Sequence, residues 1–246
     1  MEQTVVFPDK GYAEFGRCFL ESGIKKINVV CGSSFKRLAI GKFITEFFAA
    51  NDIEIVFFSD FQPNPDYESV VRGVEAFKSS DCDSILAVGG GSAMDVAKCI
   101  KLYATMPLGS DYINQKIVPN DIPFFAVPTT AGTGSEATRF AVIYYNGVKQ
   151  SVTDYSCIPQ VVLLDPSVLE TLPDYQRKVT MLDAFCHAVE SFWSVNSTDE
   201  SKQFSKDAIR LILSNMESYL KNEYDGNKNM LMAANIAGKA INITQT

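Results

Sequence analysis

Two side chains in the stretch V-T-M-L-D-A-F-C-H-A-V-E-S-F-W, Val179 to Trp193, have the types and spacing for metal chemistry. Asp183 and His187 stand four residues apart, so on a helix both leave the same face, about one turn from each other. A carboxylate oxygen and an imidazole nitrogen converging there can take two corners of a divalent metal site. The same spacing suits a local hydrogen-bonded pair, and this stretch alone leaves both readings open. His187 is the only histidine in the chain.

A second constellation is Gly89-Gly90-Gly91-Ser92, between a strand-like run and a helical one. Glycines let the main chain approach a ligand, and a helix N-terminus offers free N–H groups and the positive end of its dipole, so this turn is a candidate phosphate cradle. Asp95, in the first turn, is placed to hold the loop or the ligand. Packing alone also selects glycine at such turns, and the run is neither G-x-G-x-x-G nor a P-loop. A third is Pro128-Thr129-Thr130-Ala131-Gly132-Thr133-Gly134-Ser135-Glu136, hydroxyl-rich beside a strand end, either a ligand loop or a solvated turn. Asn64 between two prolines and Lys149 in a short hairpin are further candidates, with a plain turn residue and a solvated lysine as their ordinary readings.

Short apolar runs alternating with amphipathic ones supply the scaffold. Strands are predicted at Thr4 to Phe7, Ile27 to Cys31, Ile53 to Phe58, Ser84 to Val88, 123–128, Arg139 to Tyr145, Val148 to Val152 and Val161 to Leu164. Helices are predicted at Tyr12 to Ser22, Phe35 to Ala50, Asp66 to Ser79 and Ala93 to Tyr103, with Gly23 closing the first and Asn146-Gly147 forming a tight hairpin turn. This order argues for an α/β domain with a mostly parallel sheet. From about Asp174 only helical patterns remain: Tyr175 to Ser194, Asp199 to Asn222 and Asn227 to Ile243, with Asp225-Gly226-Asn227 as loop punctuation. The expected organisation is an α/β domain over residues 1–170 and an all-helical domain over 171–246 that is incomplete, because its last helix still runs where the sequence stops.

A chain of 246 residues with 46% hydrophobic content buries a substantial core. A formal charge of −7 with a pI near 4.8 leaves no basic face for nucleic acid. Six cysteines without a C-x-x-C pair suit a reducing compartment. No apolar run reaches membrane-spanning length and the first residues lack a signal-peptide pattern, so the expectation is a cytoplasmic protein without a membrane partner.

Taken together, A-V-G-G-G-S-A-M-D-V-A-K, V-P-T-T-A-G-T-G-S-E-A-T-R-F, L-L-D-P-S-V-L-E-T-L-P and L-D-A-F-C-H-A-V-E-S-F, in this order, resemble the iron-containing (group III) alcohol dehydrogenases. The resemblance implies a Rossmann-like, dinucleotide-binding α/β domain, a helical C-terminal domain, and a cleft holding NAD(P) and a divalent metal, Fe²⁺ or Zn²⁺. It implies hydride transfer between the nicotinamide and a small alcohol or aldehyde, and a homodimer. Matched position by position, it gives Gly90, Gly91 and Ser92 to the cofactor pyrophosphate. Asn64, Thr129, Thr130, Thr133, Thr138, Phe140, Lys149 and Val168 fall to further cofactor contacts, and Asp183 and His187 to the first two metal ligands.

Two departures modify these expectations. Relatives preferring NAD commonly carry an Asp after the strand corresponding to I-N-V-V-C; here Gly32 follows, then Ser33, Ser34, Lys36 and Arg37, which favours NADP. The family's remaining metal ligands are histidines further along, and none follows His187. The expectation is a chain that stops before them, binds metal poorly, and turns over slowly or not at all. A glycerol-phosphate dehydrogenase or dehydroquinate synthase relative, and a non-catalytic nucleotide-binding module, stand as the alternatives.

Overall fold

A computed structural model describes residues 3–107, 109 and 111–246. The chain groups into two compact units, Met1–Val127 with Arg139–Leu163, and Pro128–Thr138 with Leu164–Thr246.

The first unit is built on six strands: β1 (Thr4–Val6), β2 (Lys26–Cys31), β3 (Glu54–Phe58), β4 (Ser84–Gly89), β5 (Phe124–Pro128, whose last residue belongs to the second unit) and β8 (Val161–Leu163). They form one sheet in the order β1-β8-β5-β4-β2-β3, parallel at β1–β8, β8–β5, β4–β2 and β2–β3. The central strands are buried along their whole length, which is why they read as unbroken apolar runs. Helices α1 (Ala13–Glu21), α2 (Ala39–Ala50), α3 (Tyr67–Ser79) and α4 (Gly91–Tyr103) accompany the sheet. Phe15 and Phe19 of α1 pack edge-on with each other and against Phe125 of β5, and Phe19 meets Phe48 of α2 at 4.8 Å between ring centroids. A β-hairpin, β6 (Phe140–Tyr145) and β7 (Val148–Thr153), completes the unit. Its turn residues Asn146 and Gly147 both take positive φ, 50° and 75°, as an Asn-Gly hairpin turn requires.

The second unit packs α5 (Asp174–Trp193), α6 (Asp199–Leu220) and α7 (Tyr224–Thr244) together. Small residues Ala188, Ala208 and Ala237, one from each helix, form the buried centre, so the three backbones approach closely. Thr198 and Ser201 cap α6 reciprocally.

Several boundaries differ from expectation. The stretch predicted as one helix from Phe35 is a 3-10 turn, Phe35–Arg37, then an extended Leu38, and only then α2. A Cβ on Gly41 would lie 2.1 Å from the Phe35 carbonyl oxygen, so the first turn folds back onto the helix it was expected to extend. Asp225-Gly226-Asn227 is not a loop but the first turn of α7. Asn222, at φ 60°, ends α6, and Gly226 is required inside the helix because a Cβ there would meet Tyr219 N at 2.4 Å. Residues 128–138 and 164–170, expected in the α/β domain, group with the helices.

Candidate functional site

In the α/β unit, the chain leaves β2 for its neighbour β3 on one side and β4 for its neighbour β5 on the other. Such a reversal between adjacent parallel strands is where open sheets bind ligands, beyond the carboxyl ends. Register sets Cys31 beside Val88, so Gly32-Ser33-Ser34 and the triple-glycine turn leave the sheet side by side.

Gly90 is the extended N-cap of α4 (φ −81°, ψ −166°), and the helix begins at Gly91, inside the turn rather than at Ala93. The helix's first N–H groups, those of Gly91, Ser92 and Ala93, are therefore part of the turn. Gly89 serves packing: a Cβ there would lie 2.5 Å from the Ala93 Cβ. A Cβ on Gly32 would meet nothing within 4 Å, and Ser33, Lys36 and Arg37 nearby are exposed.

The loop after β3 closes one side of the turn. Asn64 sits at φ 56°, which asparagine tolerates, and its N–H donates to Ser92 Oγ at 3.3 Å. Pro65 O accepts from Tyr144 N at 2.8 Å, and Tyr144 pairs across the hairpin with Lys149. Asn64, Gly90, Gly91 and Ser92 are thus brought together and linked to the hairpin carrying Phe140 and Lys149. Asp95 and Phe140 are half-buried, and Lys149 is exposed.

In the helical unit the 128–138 loop is clamped. A Cβ on Gly132 would lie 2.8 Å from the Thr180 Cβ of α5, and one on Gly134 would lie 2.3 Å from the Ala234 carbonyl of α7. These glycines bring the loop against two helices. Asn235 Nδ2 donates to buried Glu136 at 3.2 Å and fixes the same face. Thr133 Oγ1 accepts from Ser135 N at 3.2 Å, and buried Thr138 donates to Ser135 O at 3.3 Å, so both hydroxyls hold the loop's own 3-10 turn. Thr129 and Thr130 remain half-exposed, and Val168 is buried.

Asp183 Oδ1 and His187 Nε2 are 3.6 Å apart on one face of α5, both part-exposed. That is too long for a hydrogen bond. It is close to the roughly 3.4 Å between two ligands of a tetrahedral site with bonds near 2.1 Å. The donor chemistry fits two corners of a divalent-cation site, while Nδ1 is buried without a hydrogen-bond partner. Among the described residues no group of three or more His, Cys, Asp or Glu side chains comes together to hold a metal.

Three cations, Arg177, Lys98 and Lys101, are buried and were not among the expected site residues. Arg177 donates to Tyr219 O (3.0 Å), Asn227 Oδ1 (2.7 Å), Leu169 O (2.5 Å) and Asn222 Oδ1 (2.7 Å), with its plane over the Tyr219 ring. It thereby satisfies the Tyr219 carbonyl at the end of α6, where the helix dipole is negative, and fixes the start of the helix that carries Asp183 and His187. Lys98 is fully buried in α4. The available signal was a helix apolar all round, so that its lysines had no polar face to occupy.

Comparison with known proteins agrees with this architecture. The family model described as iron-containing alcohol dehydrogenase matches residues 2–166, and the one described as Fe-containing alcohol dehydrogenase family, C-terminal, matches residues 178–246. The chain is 34% identical over 206 residues to an aldehyde-alcohol dehydrogenase of Streptococcus pneumoniae, covering 77% of this chain and 23% of that protein. It is 30% identical over 235 residues to an NAD-dependent methanol dehydrogenase of Bacillus methanolicus, covering 93% and 62%. Among solved structures, a sulfoacetaldehyde reductase of Bifidobacterium kashiwanohense in complex with NAD⁺ superposes with a TM-score of 0.87 at 27% identity, over 98% of this chain and 66% of that one. An alcohol dehydrogenase of Oenococcus oeni superposes at 0.89 and 29%, over 99% and 66%. The chain thus spans less than two thirds of the length of both curated relatives.

Proposed function

Since the chain belongs to the iron-containing alcohol dehydrogenase family, we propose that it serves NAD(P)-dependent, metal-assisted hydride transfer between a nicotinamide and a small alcohol or aldehyde. The observation that carries this reading is the adjacency of Gly32 and the triple-glycine turn at the reversal of strand order. In it, the N–H groups of Gly91 and Ser92 receive the pyrophosphate, while Asn64, held by Ser92, and Phe140 and Lys149 line the remainder of the α/β share of the nucleotide site. The family resemblance gives Thr129 and Thr130 to further cofactor contacts. With Gly32 in place of a carboxylate and Lys36 and Arg37 close by in sequence, the adenine ribose is read with its 2′-phosphate, and NADP is the preferred cofactor.

Asp183 and His187 would hold the metal, Fe²⁺ or Zn²⁺, which when bound supplies Lewis-acid polarisation of the substrate oxygen. The chain's own contribution there is a carboxylate and an imidazole kept on one helical face. The substrate is a short alcohol or aldehyde, as the names of the methanol, butanol and propanediol relatives suggest. Free thiols at all six cysteines, and no described helix long and apolar enough to cross a membrane, support a cytoplasmic location. A homodimer is proposed on the family resemblance.

Titration with NADPH and NADH, with and without Fe²⁺ or Zn²⁺, followed by aldehyde-dependent oxidation of the reduced cofactor, tests the reading. NADPH binding tighter than NADH is expected, and failure to bind either dinucleotide removes it. A second reading, dinucleotide binding without turnover, is favoured by the two-member donor set at Asp183 and His187. Saturable NADPH binding with no oxidation in the presence of metal selects it.

A further inference from the structure

Lys98 lies in the middle of α4, 0% exposed, and its Nζ donates to Phe140 O at 2.7 Å. Burying an ammonium is costly unless it is hydrogen-bonded and its charge answered. Here the charge has company. Burial pushes the neighbouring Cys157 thiol up to about 11; the Lys98 charge and a hydrogen bond from the Asp154 backbone oppose that rise, and the Asp154 and Asp95 carboxylate charges add to it. One cation and two carboxylates therefore gather around this point, Asp95 one turn earlier on α4 and Asp154 just beyond β7.

The place of the bond gives it a consequence. Ser92, on the same helix, holds Asn64 N, and the next carbonyl, Pro65 O, holds Tyr144 N of β6. Phe140, at the start of β6, is held directly by Lys98. Helix α4 and strand β6 are thereby tied at two points, one through the Asn64 loop and one through the lysine. The circuit contains Ser92, which directly follows the glycine turn, together with Asn64 and Phe140, and Lys149 pairs with its Tyr144 across the hairpin.

We propose that Lys98 is a positioning residue for the dinucleotide site: it pins β6 to α4 so that Phe140, Lys149 and the Asn64 loop keep one geometry around the glycine turn. This rests on the dinucleotide reading above. Lys101 provides a matched control. It is equally buried on the same helix, but its Nζ donates to Asn120 O (3.0 Å), Asn120 Oδ1 (3.1 Å) and Ile122 O (2.7 Å), in the segment leading into β5.

The test measures dissociation constants for NADPH and for 2′,5′-ADP, which carries the adenine half of the cofactor and lacks the nicotinamide half, in the wild type, Lys98→Met, Lys98→Gln and Lys101→Met. Circular dichroism establishes that each variant is folded at the working temperature. Lys98→Met is expected to weaken NADPH about ten-fold or more, and 2′,5′-ADP by less than about two-fold. Lys98→Gln, which keeps an N–H donor, recovers part of the NADPH affinity and carries the test if the methionine variant does not fold. Lys101→Met lowers the melting temperature but leaves NADPH binding within about two-fold. Wild-type NADPH affinity in a folded Lys98 variant overturns the proposal, as does equal weakening in Lys101→Met. A wild-type protein that binds no dinucleotide overturns the functional reading and this inference with it.

Discussion

Gly134 and Gly238 meet backbone to backbone: a Cβ on the first would fall 2.9 Å from the Cα of the second, and a Cβ on the second 2.4 Å from the carbonyl oxygen of the first. Gly134 also sits at φ 57°. Gly134→Ala therefore meets a clash and an unfavourable conformation together, and should cost about 3 kcal/mol or more. Gly147→Ala, at φ 75° with nothing within 4 Å of the new methyl, isolates the conformational part and should cost about 1 kcal/mol. Urea denaturation of both variants measures the difference; equal losses would contradict the clamp.

Arg177 spreads its donors over four acceptors from three segments. Arg177→Met leaves those carbonyls and amides unsatisfied in the interior, and a loss of about 3–5 kcal/mol is expected. Arg177→Lys should restore less than half of it, because an ammonium cannot reproduce the planar fork. Full recovery by lysine in chemical denaturation would show that charge alone matters.

The Lys101 ammonium is pushed down to about 8 by burial, with Cys157, Asp121 and Asp154 opposing. Its folded value lies below the unfolded one, so the unfolded chain holds the proton more tightly. The penalty is present in full below about pH 8 and is relieved as pH rises toward the unfolded value near 10.5. Across that window the wild type should gain about 3 kcal/mol relative to Lys101→Met. The comparison cancels the thiols of Cys31 and Cys82, raised to about 11 by burial, which act in the opposite direction. Denaturant midpoints of the two proteins at matched pH values check the sign; a flat difference would refute it.

With two donors at Asp183 and His187, the chain should retain little Fe²⁺ or Zn²⁺ after dialysis, and either Asp183→Ala or His187→Ala should abolish the remaining binding in calorimetry. Stoichiometric metal surviving dialysis would refute the two-donor site.

Gly32→Asp adds a carboxylate into open space, so it should leave the melting temperature nearly unchanged. The new charge repels a 2′-phosphate and accepts from ribose hydroxyls, and the ratio of NADPH to NADH affinity should fall about ten-fold or more. An unchanged ratio would remove Gly32 from the adenine-ribose position.

Most of the architecture was legible because its signals are local. The apolar runs of β2, β4 and β5, the Asn146-Gly147 turn, and the four-residue spacing of Asp183 and His187 each fix a conformation with a handful of neighbours. What escaped depends on partners distant in sequence. Gly226 reads as a loop residue until Tyr219 is seen against it, and Gly132 reads as flexible until Thr180 is. The bonds of the Thr133 and Thr138 hydroxyls within their own loop are likewise invisible in composition. The apolar surround of α4 hinted that Lys98 is buried, but nothing in the immediate sequence of Lys98 or Arg177 names the carbonyls that receive them.

The polypeptide changes unit at Val127–Pro128, again at Thr138–Arg139, and a third time at Leu163–Leu164. A chimera built from two related genes with one crossover near residue 164 would pair the α7 of one parent with the Gly134 segment of the other. Recombination that carries residues 128–138 and 164–246 from the same parent keeps the glycine partners matched, and those libraries should yield the larger share of folded progeny.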